Sequence, residues 1–412
     1  MTITPLSTST VPLPEPEICS DNPYQETAPT PREISPLEEL ERVLRANFYQ
    51  PDTQAVRIVL GAIQAHRLTL GDPAWLFVVA PPGSGKTTIT IMGTCGLPDV
   101  RMLGDFSENT FLSGFYGHQQ PGMLEKLGHA VQDGQTYTSV GNAVLVAKDF
   151  TTVLSMRREK RSAILGQLRE IHDGEFKRDF GTGVTKIWKG RVSVIAAVTP
   201  VLDKYYSIFS VLGERFMQLR WHRPDSEEAG EWAIRQQGRE GQFQDEIKRA
   251  IRSVLDAATQ SAPRLRKEMQ ERIANLAEII AIGRTHVYRS SYGNRDIEYA
   301  PEPEANTRLS KGLAAIAKGV ASVRGHETVA EDDLRDAFRV ALDCLTDYRR
   351  QVFLAVVHGR NPETVGIPKT MRQRALEELE ELGVLVKPDS KSGYRQSERI
   401  ARLWNKADVK TK

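Results

Sequence analysis

Four hundred and twelve residues exceed one compact domain and suggest two or three of roughly 150 residues each. Hydrophobic residues make up 40% and charged residues 26%, a globular composition that excludes a wholly disordered chain, a fibre or a membrane protein. The formal net charge of +2 says little until it is divided by region. No unbroken apolar run approaches the roughly 18 residues of a transmembrane helix, and the first 30 residues do not read as a signal peptide. Cys19, Cys95 and Cys344 are odd in number and far apart. They argue against a disulfide framework and for a reducing, cytoplasmic setting. Without a CxxC or HExxH pattern, no zinc site is expected.

Residues 1–36 read as a disordered tail. Eight of the 22 prolines (Pro5, Pro12, Pro14, Pro16, Pro23, Pro29, Pro31, Pro36) lie there among many Ser and Thr, too little apolar surface to offset ordering entropy. From Leu37 to Leu70 the pattern is helical, through Leu40, Val43, Leu44, Val56, Ile58, Val59 and Ile63. Trp75 to Ala80 is a continuous apolar run between Asp72-Pro73 and Pro81-Pro82, and reads as a buried strand. Ala143–Ala147 and Val192–Val198 are two more, separated by helical stretches as in a parallel α/β sheet.

Beyond Arg223 the pattern is all helix. Apolar faces run through Phe243, Ile247, Ile251, Val254 and Leu255, through Leu265, Met269, Ile273, Leu276 and Ile280, and through Leu309, Leu313, Ile316 and Val320. Thr328-Val329-Ala330-Glu331 reads as a capping box opening a fourth helix. Residues 349–412 hold 14 Lys or Arg against 8 Asp or Glu, an excess of six positive charges, so the remainder of the chain is net −4.

Ala80-Pro81-Pro82-Gly83-Ser84-Gly85-Lys86-Thr87 follows the first strand and precedes a helix, the setting of a P-loop, with Ala80 in place of its first glycine. Gly83 and Gly85 allow the backbone to curl so that the amides of Pro82-Gly83-Ser84-Gly85-Lys86-Thr87-Thr88 (proline excepted) point at phosphate oxygens. Lys86 supplies a point charge for the β- and γ-phosphates and Thr87 a hydroxyl for Mg²⁺. The nucleotide expected is ATP, with Mg²⁺. The second strand ends in Lys148-Asp149-Phe150, where a metal-binding acid belongs. One acid stands where hydrolysing enzymes of this kind carry two. Either Asp149 serves Mg²⁺ and Phe150 replaces the catalytic acid, or Asp149 positions water and Lys148 replaces the metal ligand; the sequence leaves both open. Thr87 and Asp149 are the candidate metal ligands.

A helix ends at Gly174, and Lys177–Arg191 reads as a β-hairpin around Gly181-Thr182-Gly183, directly before the strand that runs into Ala196-Ala197-Val198-Thr199-Pro200. That ending resembles the sensor 1 strand of AAA+ ATPases, with Thr199 as the polar sensor. Leu212-Gly213-Glu214-Arg215-Phe216 resembles the family's arginine-finger stretch, and Arg308, at a helix start after Glu304, its sensor 2 position. The order of features is similar to the AAA+ group with a hairpin before sensor 1, which includes MCM helicases and bacterial enhancer-binding activators. The likeness spans about residues 40–345. Phe115–Gly122 lacks the activators' Gly-Ala-Phe-Thr-Gly-Ala loop, which argues against contact with a sigma factor.

The resemblance implies an α/β P-loop AAA+ core with a parallel sheet (37–223), a helical lid domain (224–348) and ATPase activity in which Asp149, Thr199, Arg215 and Arg308 act. Because an arginine finger reaches a neighbour's γ-phosphate, it implies a homo-oligomer, a ring such as a hexamer. Arg308 would couple nucleotide state to lid angle. Residues 349–412 resemble a winged helix-turn-helix: an apolar helix at Val352–Val357, a helix after Pro368 ending at Gly383, and a wing around Ser390-Lys391-Ser392-Gly393. The DNA-binding candidates are Lys177, Arg178, Lys186 and Lys189 on the hairpin and Lys369, Arg372 and Gln373 on the helix. Two functions follow as expectations: an oligomeric, ATP-hydrolysing motor or remodeller of DNA, or an ATP-switched DNA-binding regulator or initiator with little turnover. A P-loop small-molecule kinase fits the helical region and the basic end less well.

Overall fold

The chain is organised around a five-residue strand, β1 (Trp75–Val79), all of whose residues are buried. The computed structural model describes residues 34–104, 106–113, 121–205, 215–222, 226–290, 292–293, 295–389 and 392–409, without the side chains of Thr88, Ile91, Met92 and Ser226. The expected tail through residue 33, the loop 114–120, the Leu212-Gly213-Glu214 part of the arginine stretch, and Ser390 and Lys391 lie outside the described residues. Every element below belongs to the Pro36–Lys412 unit.

Two helices, α1 (Pro36–Asn47) and α2 (Thr53–Arg67), precede β1, where the helical pattern predicts them. The chain breaks between them at Pro51, and the Asp52 carboxylate caps α2 by accepting from the Ala55 amide at 2.9 Å. After β1 come β2 (Val100–Leu103), β3 (Gly128–Asp133), β4 (Thr136–Ala147), α3 (Thr151–Leu154), α4 (Arg158–His172), β5 (Glu175–Asp179), β6 (Thr185–Val198) and β7 (Phe216–Arg220). The predicted strands at 143–147 and 192–198 are the second halves of β4 and β6. The sheet path is β2-β4-β6-β1-β7, parallel throughout. β3 and β5 add antiparallel to β4 and β6, so the predicted hairpin is present as β5–β6. β2, β3 and β7 have no clear signal in the sequence.

The sheet is buried on both faces, which is why its central strands are continuous apolar runs. Trp75, Phe77 and Val79 pack with Leu145, Val194, α3 and α4 on one side. Leu76 and Val78 pack on the other with Val144, Ile195, Leu219, α1, α2 and the helices Glu240–Ala257, Lys267–Gly283, Thr307–Val323 and Glu331–Asp343. The helical region therefore shares one hydrophobic core with the sheet. Its closest approach is the crossing of α2 with Thr307–Val323. A Cβ on Gly319 would lie 2.0 Å from the Gly61 carbonyl oxygen, and one on Gly61 2.5 Å from a Val320 methyl. The Glu331–Asp343 helix starts after Ala330, and it is Asp333 whose carboxylate accepts from the Ala330 amide at 2.8 Å. The reciprocal bond thus lies two residues later than the predicted box.

The C-terminal segment folds as the helices Asp347–Val357 and Lys369–Glu381, a short antiparallel pair β10 (Leu385–Val386) and β11 (Arg395–Gln396), and the helix Glu398–Ala407. (β8, Tyr288–Arg289, and β9, Ile297–Tyr299, form a hairpin before the Thr307 helix.) Glu378, with 0% exposure, joins this segment to the rest. Its carboxylate accepts from Arg349 at 2.8 Å, Arg289 at 3.0 Å, Arg374 at 2.7 Å and the Tyr348 hydroxyl at 2.9 Å. Among the described residues, no helix is long and apolar enough to cross a membrane, and Cys95 and Cys344 are free thiols.

Three variants test this packing. Gly319→Ala should lower the urea midpoint with unchanged m-value, by about 3 kcal/mol, because backbone cannot move aside as a side chain can. Gly166→Ala in α4, where an added Cβ meets nothing within 4 Å, should be neutral or stabilising by a few tenths to about 1 kcal/mol. Burial pushes the Glu378 carboxyl up, but Arg349 and Arg374 outweigh it and hold it below the ordinary 4.5. A depressed carboxylate pKa stabilises the fold above that value, and the contribution is lost as pH falls through and below it. Glu378→Ala should therefore cost about 3–5 kcal/mol at neutral pH. Its unfolding free energy should also vary less than the parent's below pH 4.5.

Candidate functional site

The loop after β1 owes its shape to two glycines. Gly83 and Gly85 both have φ of +78°, in the left-handed region that side chains disfavour. Space stays open beside Gly83, whereas Gly85 faces the Phe48 ring, which a Cβ would meet at 3.5 Å. The loop rests on the sheet through the Ala80 amide, which donates to the Val198 carbonyl at 3.0 Å. Lys86 is buried and folds back over it, its Nζ donating to the Ala80 carbonyl at 2.9 Å. Burial lowers the Lys86 pKa and the Asp149 carboxylate works against that shift. The following helix opens with a wide π-helical stretch, Thr87–Met92, and the Thr90 hydroxyl donates to the Lys86 carbonyl at 2.5 Å. Such stretches are costly and recur at functional sites.

β6 lies between β1 and β4, so the ends of these strands converge. The Phe150 amide donates to the Ala197 carbonyl at 2.8 Å. Thr199 follows β6, and its amide donates to the Thr151 hydroxyl at 3.1 Å, with the two hydroxyls 3.4 Å apart. Asp149 is exposed, and its carboxylate accepts from the Thr151 amide at 2.8 Å. Phe150 has 0% exposure, its ring 4.9 Å from Phe77 and 5.1 Å from Phe106. The Asp149 carboxylate is close enough to Lys86 to act against the burial that lowers its pKa, which fits both alignments left open by the sequence. The next residue, a core aromatic, can neither orient nor activate water.

Next to the loop is a cavity of about 530 Å³ that the sequence reading did not find. Phe48, Tyr49, Trp221, Trp232 and Phe243 line it with Gly83-Ser84-Gly85. The Trp232 indole donates to the Asn47 carbonyl at 3.3 Å, and the Tyr49 hydroxyl bonds to Glu228. A planar heterocycle joined to phosphates suits such a space, apolar rings at one end and loop amides at the other. The aromatics come from segments about 180 residues apart in sequence, as the 179-residue Tyr49–Glu228 separation shows. The visible signal was Phe48-Tyr49 just before a helix break, too local to be read as a wall. Among the described residues no cluster of three His, Cys, Asp or Glu could hold a metal ion, so a cation here would rely on Thr87, Asp149 and oxygens of a bound phosphate.

Arg215 and Arg308 are at the other end of the sheet. They line a small cavity with Asp72, Trp75, His172 and Met217, at the start of β1. Five residues of strand, about 16 Å at 3.3 Å each, separate this point from the loop. Arg215 donates to both Asp173 oxygens, at 2.8 and 3.0 Å. Burial and the neighbouring Arg215 charge lower the Arg308 pKa. Burial, then Arg215, brings His172 down to about 4, so it stays neutral against Trp75. Arg308 therefore joins Arg215, and neither reaches its own chain's glycine-rich loop.

The hairpin cations differ from the expectation of a free basic surface. Lys186 is 1% exposed and bonds to Glu125 at 2.8 Å, because alternate residues of β6 face inward here onto the Leu124–Lys126 turn. Buried and paired, Lys186 does not present its charge to DNA. Lys177 pairs with Asp179 at 3.8 Å and Lys189 with Glu175 at 3.3 Å, while Arg178 bonds to the Glu108 carbonyl. On the Lys369–Glu381 helix, Lys369 is exposed, Arg372 donates to Glu363 at 2.5 Å and Gln373 to Glu377 at 2.9 Å. Compared with models of known protein families and with curated protein sequences, the chain matches none.

Lys186→Ala leaves Glu125 buried and unpaired. It should cost about 3 kcal/mol or more in chemical unfolding. A variant as stable as the parent would show that the pair does not hold the hairpin.

Proposed function

We propose that this chain is an ATP-binding AAA+ protein that acts on DNA as an oligomer, an ATP-hydrolysing motor or remodeller with a C-terminal winged helix-turn-helix domain. The observation that carries the reading is the division of charge along β1. Lys86, Asp149 and Thr199 converge at the carboxyl ends of three adjacent parallel strands, where open α/β sheets bind ligands. Arg215 and Arg308 gather at the opposite end. Arg220, Arg339 and Arg350 line a cavity with Ala80 and Pro81 at the loop end, whereas the Arg215–Arg308 pair lies at the far end of β1, so a second copy would be needed to bring that pair to the loop.

In this reading, amides of Gly83–Thr88 and the Lys86 charge hold the phosphates, and the aromatic cavity takes the base. Thr87 and Asp149 would hold Mg²⁺, which would supply positive charge to the phosphoryl oxygens. Thr199 bears a hydroxyl at the strand end between loop and acid. Arg215 of an adjoining copy stabilises charge developing on the γ-phosphate. Arg308 acts beside it, so its expected coupling to a lid within the same chain is replaced by action across the interface. A second reading, the ATP-switched DNA-binding regulator with little turnover, draws on Phe150: a core ring stands where a second acid would activate water.

The test is ATP turnover with and without DNA, for the parent, Lys86→Ala, Arg215→Ala and an equal mixture of the two variants. Lys86→Ala should lose nucleotide binding, and Arg215→Ala should bind ATP but turn over about 10³-fold slower. The mixture should recover part of the activity, because an intact loop then meets an intact arginine. Full activity of Arg215→Ala alone, or unchanged ATP affinity of Lys86→Ala, sinks the proposal. Tight ATP binding with negligible turnover in the parent under every condition selects the switch.

A further inference from the structure

A group of cations at the loop end of the sheet has no partners among the described residues. Lys148 follows β4, Arg157, Arg158 and Lys160 open α4, and Lys204 lies in the turn Pro200–Tyr205 after β6. All five are exposed. None has an ion pair or side-chain hydrogen bond to another described residue. The hairpin cations, in contrast, are bonded to acids or to a carbonyl. The acids in and beside the patch are Asp149, engaged with the Thr151 amide, Glu159, and Asp203 and Asp347, which line the cavity beside Lys204 and pair with Arg220 and Arg350. The first turn of a helix is positively polarised, so arginines there add repulsion instead of relieving it.

The patch is continuous with the C-terminal segment. α3 packs on the Pro200–Tyr205 turn, and the Arg161 guanidinium sits over the Tyr205 ring, 5.6 Å from its centroid. Lys204 lines a cavity of about 590 Å³ whose far wall includes Ile367, Pro368, Met371 and Arg374. That wall is the start of the Lys369–Glu381 helix, where Lys369 is exposed.

We propose that this surface, from Arg157-Arg158 and Lys160 across Lys204 to Lys369, docks the phosphate backbone of duplex DNA, and that the β5–β6 hairpin does not. The inference rests on the reading of the chain as a DNA-acting protein. Exposed cations without partners among the described residues suit sequence-independent contact with phosphates. Because Lys148 and Lys204 flank Asp149 and Thr199 along the chain, the bound backbone lies beside the nucleotide site.

The experiment is a fluorescence-anisotropy titration of the full chain with a labelled mixed-sequence duplex over a series of salt concentrations. The arms are the parent, the triple variant Arg157→Gln, Arg158→Gln, Lys160→Gln, and the double variant Lys177→Gln, Lys189→Gln. Each phosphate contact contributes about 0.9 to the slope of log affinity against log salt. The triple variant should weaken binding and flatten that slope by about 2–3 while ATP binding stays unchanged. The double variant should match the parent. Arg158→Glu, a single exposed change, should act in the same direction as the triple. A parent that binds duplex while the triple variant keeps its affinity and slope overturns the docking surface alone. Loss of binding in the double variant assigns the role to the hairpin and overturns it too. A parent that binds no duplex at any salt concentration removes the DNA function and this surface together.

Discussion

A parallel sheet has polarity, and much of the chemistry in this chain depends on it. Every strand on the central path ends at one edge, so the loops that follow β1, β4 and β6 meet there. Whatever precedes a strand lies at the other edge. Arg215, immediately before β7, and Arg308, at the start of a helix packed near Trp75, belong to that other edge. The length of β1 then keeps the arginines from their own glycine-rich loop. In the proposed function this separation is what makes association necessary.

That polarity is useful only if the sheet is held rigidly, and the helical region holds it. Gly61 and Gly319 let α2 and the Thr307–Val323 helix approach backbone to backbone. Gln64 crosses the same contact, its amide donating to the Ser322 hydroxyl at 3.1 Å and the Thr259 carbonyl at 3.0 Å. Close packing of this kind transmits displacement instead of absorbing it. The helices therefore act as a second layer of the sheet, continuous with it through one apolar core. The C-terminal helices extend that layer, fastened by Glu378 and by Arg272, which donates to the Ala407 and Asp408 carbonyls.

Charge is distributed unevenly for a reason that counting residues does not show. The C-terminal segment carries the formal excess, yet Arg349, Arg372 and Arg374 are spent on Glu378 and Glu363. The hairpin looks basic by sequence but its lysines face acids on β5 or on the neighbouring turn. Arg157, Arg158 and Lys160, in a region that is net negative overall, have no partners among the described residues. Pairing across strands and between elements sets the field at a surface, and pairing is a property of the fold.

The sequence by itself determined the apolar strands β1, β4 and β6, the helical faces, the hairpin before β6, and the loop at Ala80–Thr87. These are local patterns: period, turn residues and a glycine-lysine spacing whose physics is contained in a few adjacent residues. That Phe150 is core and Asp149 exposed follows from the fold, because which side of a strand end turns inward depends on the neighbouring strands. Tertiary structure also brought Phe48 and Tyr49 to Trp232, buried Lys186, and set Arg308 beside Arg215. Each of these joins residues far apart in the chain, and sheet order and helix packing, not local propensity, determine what lies next to what.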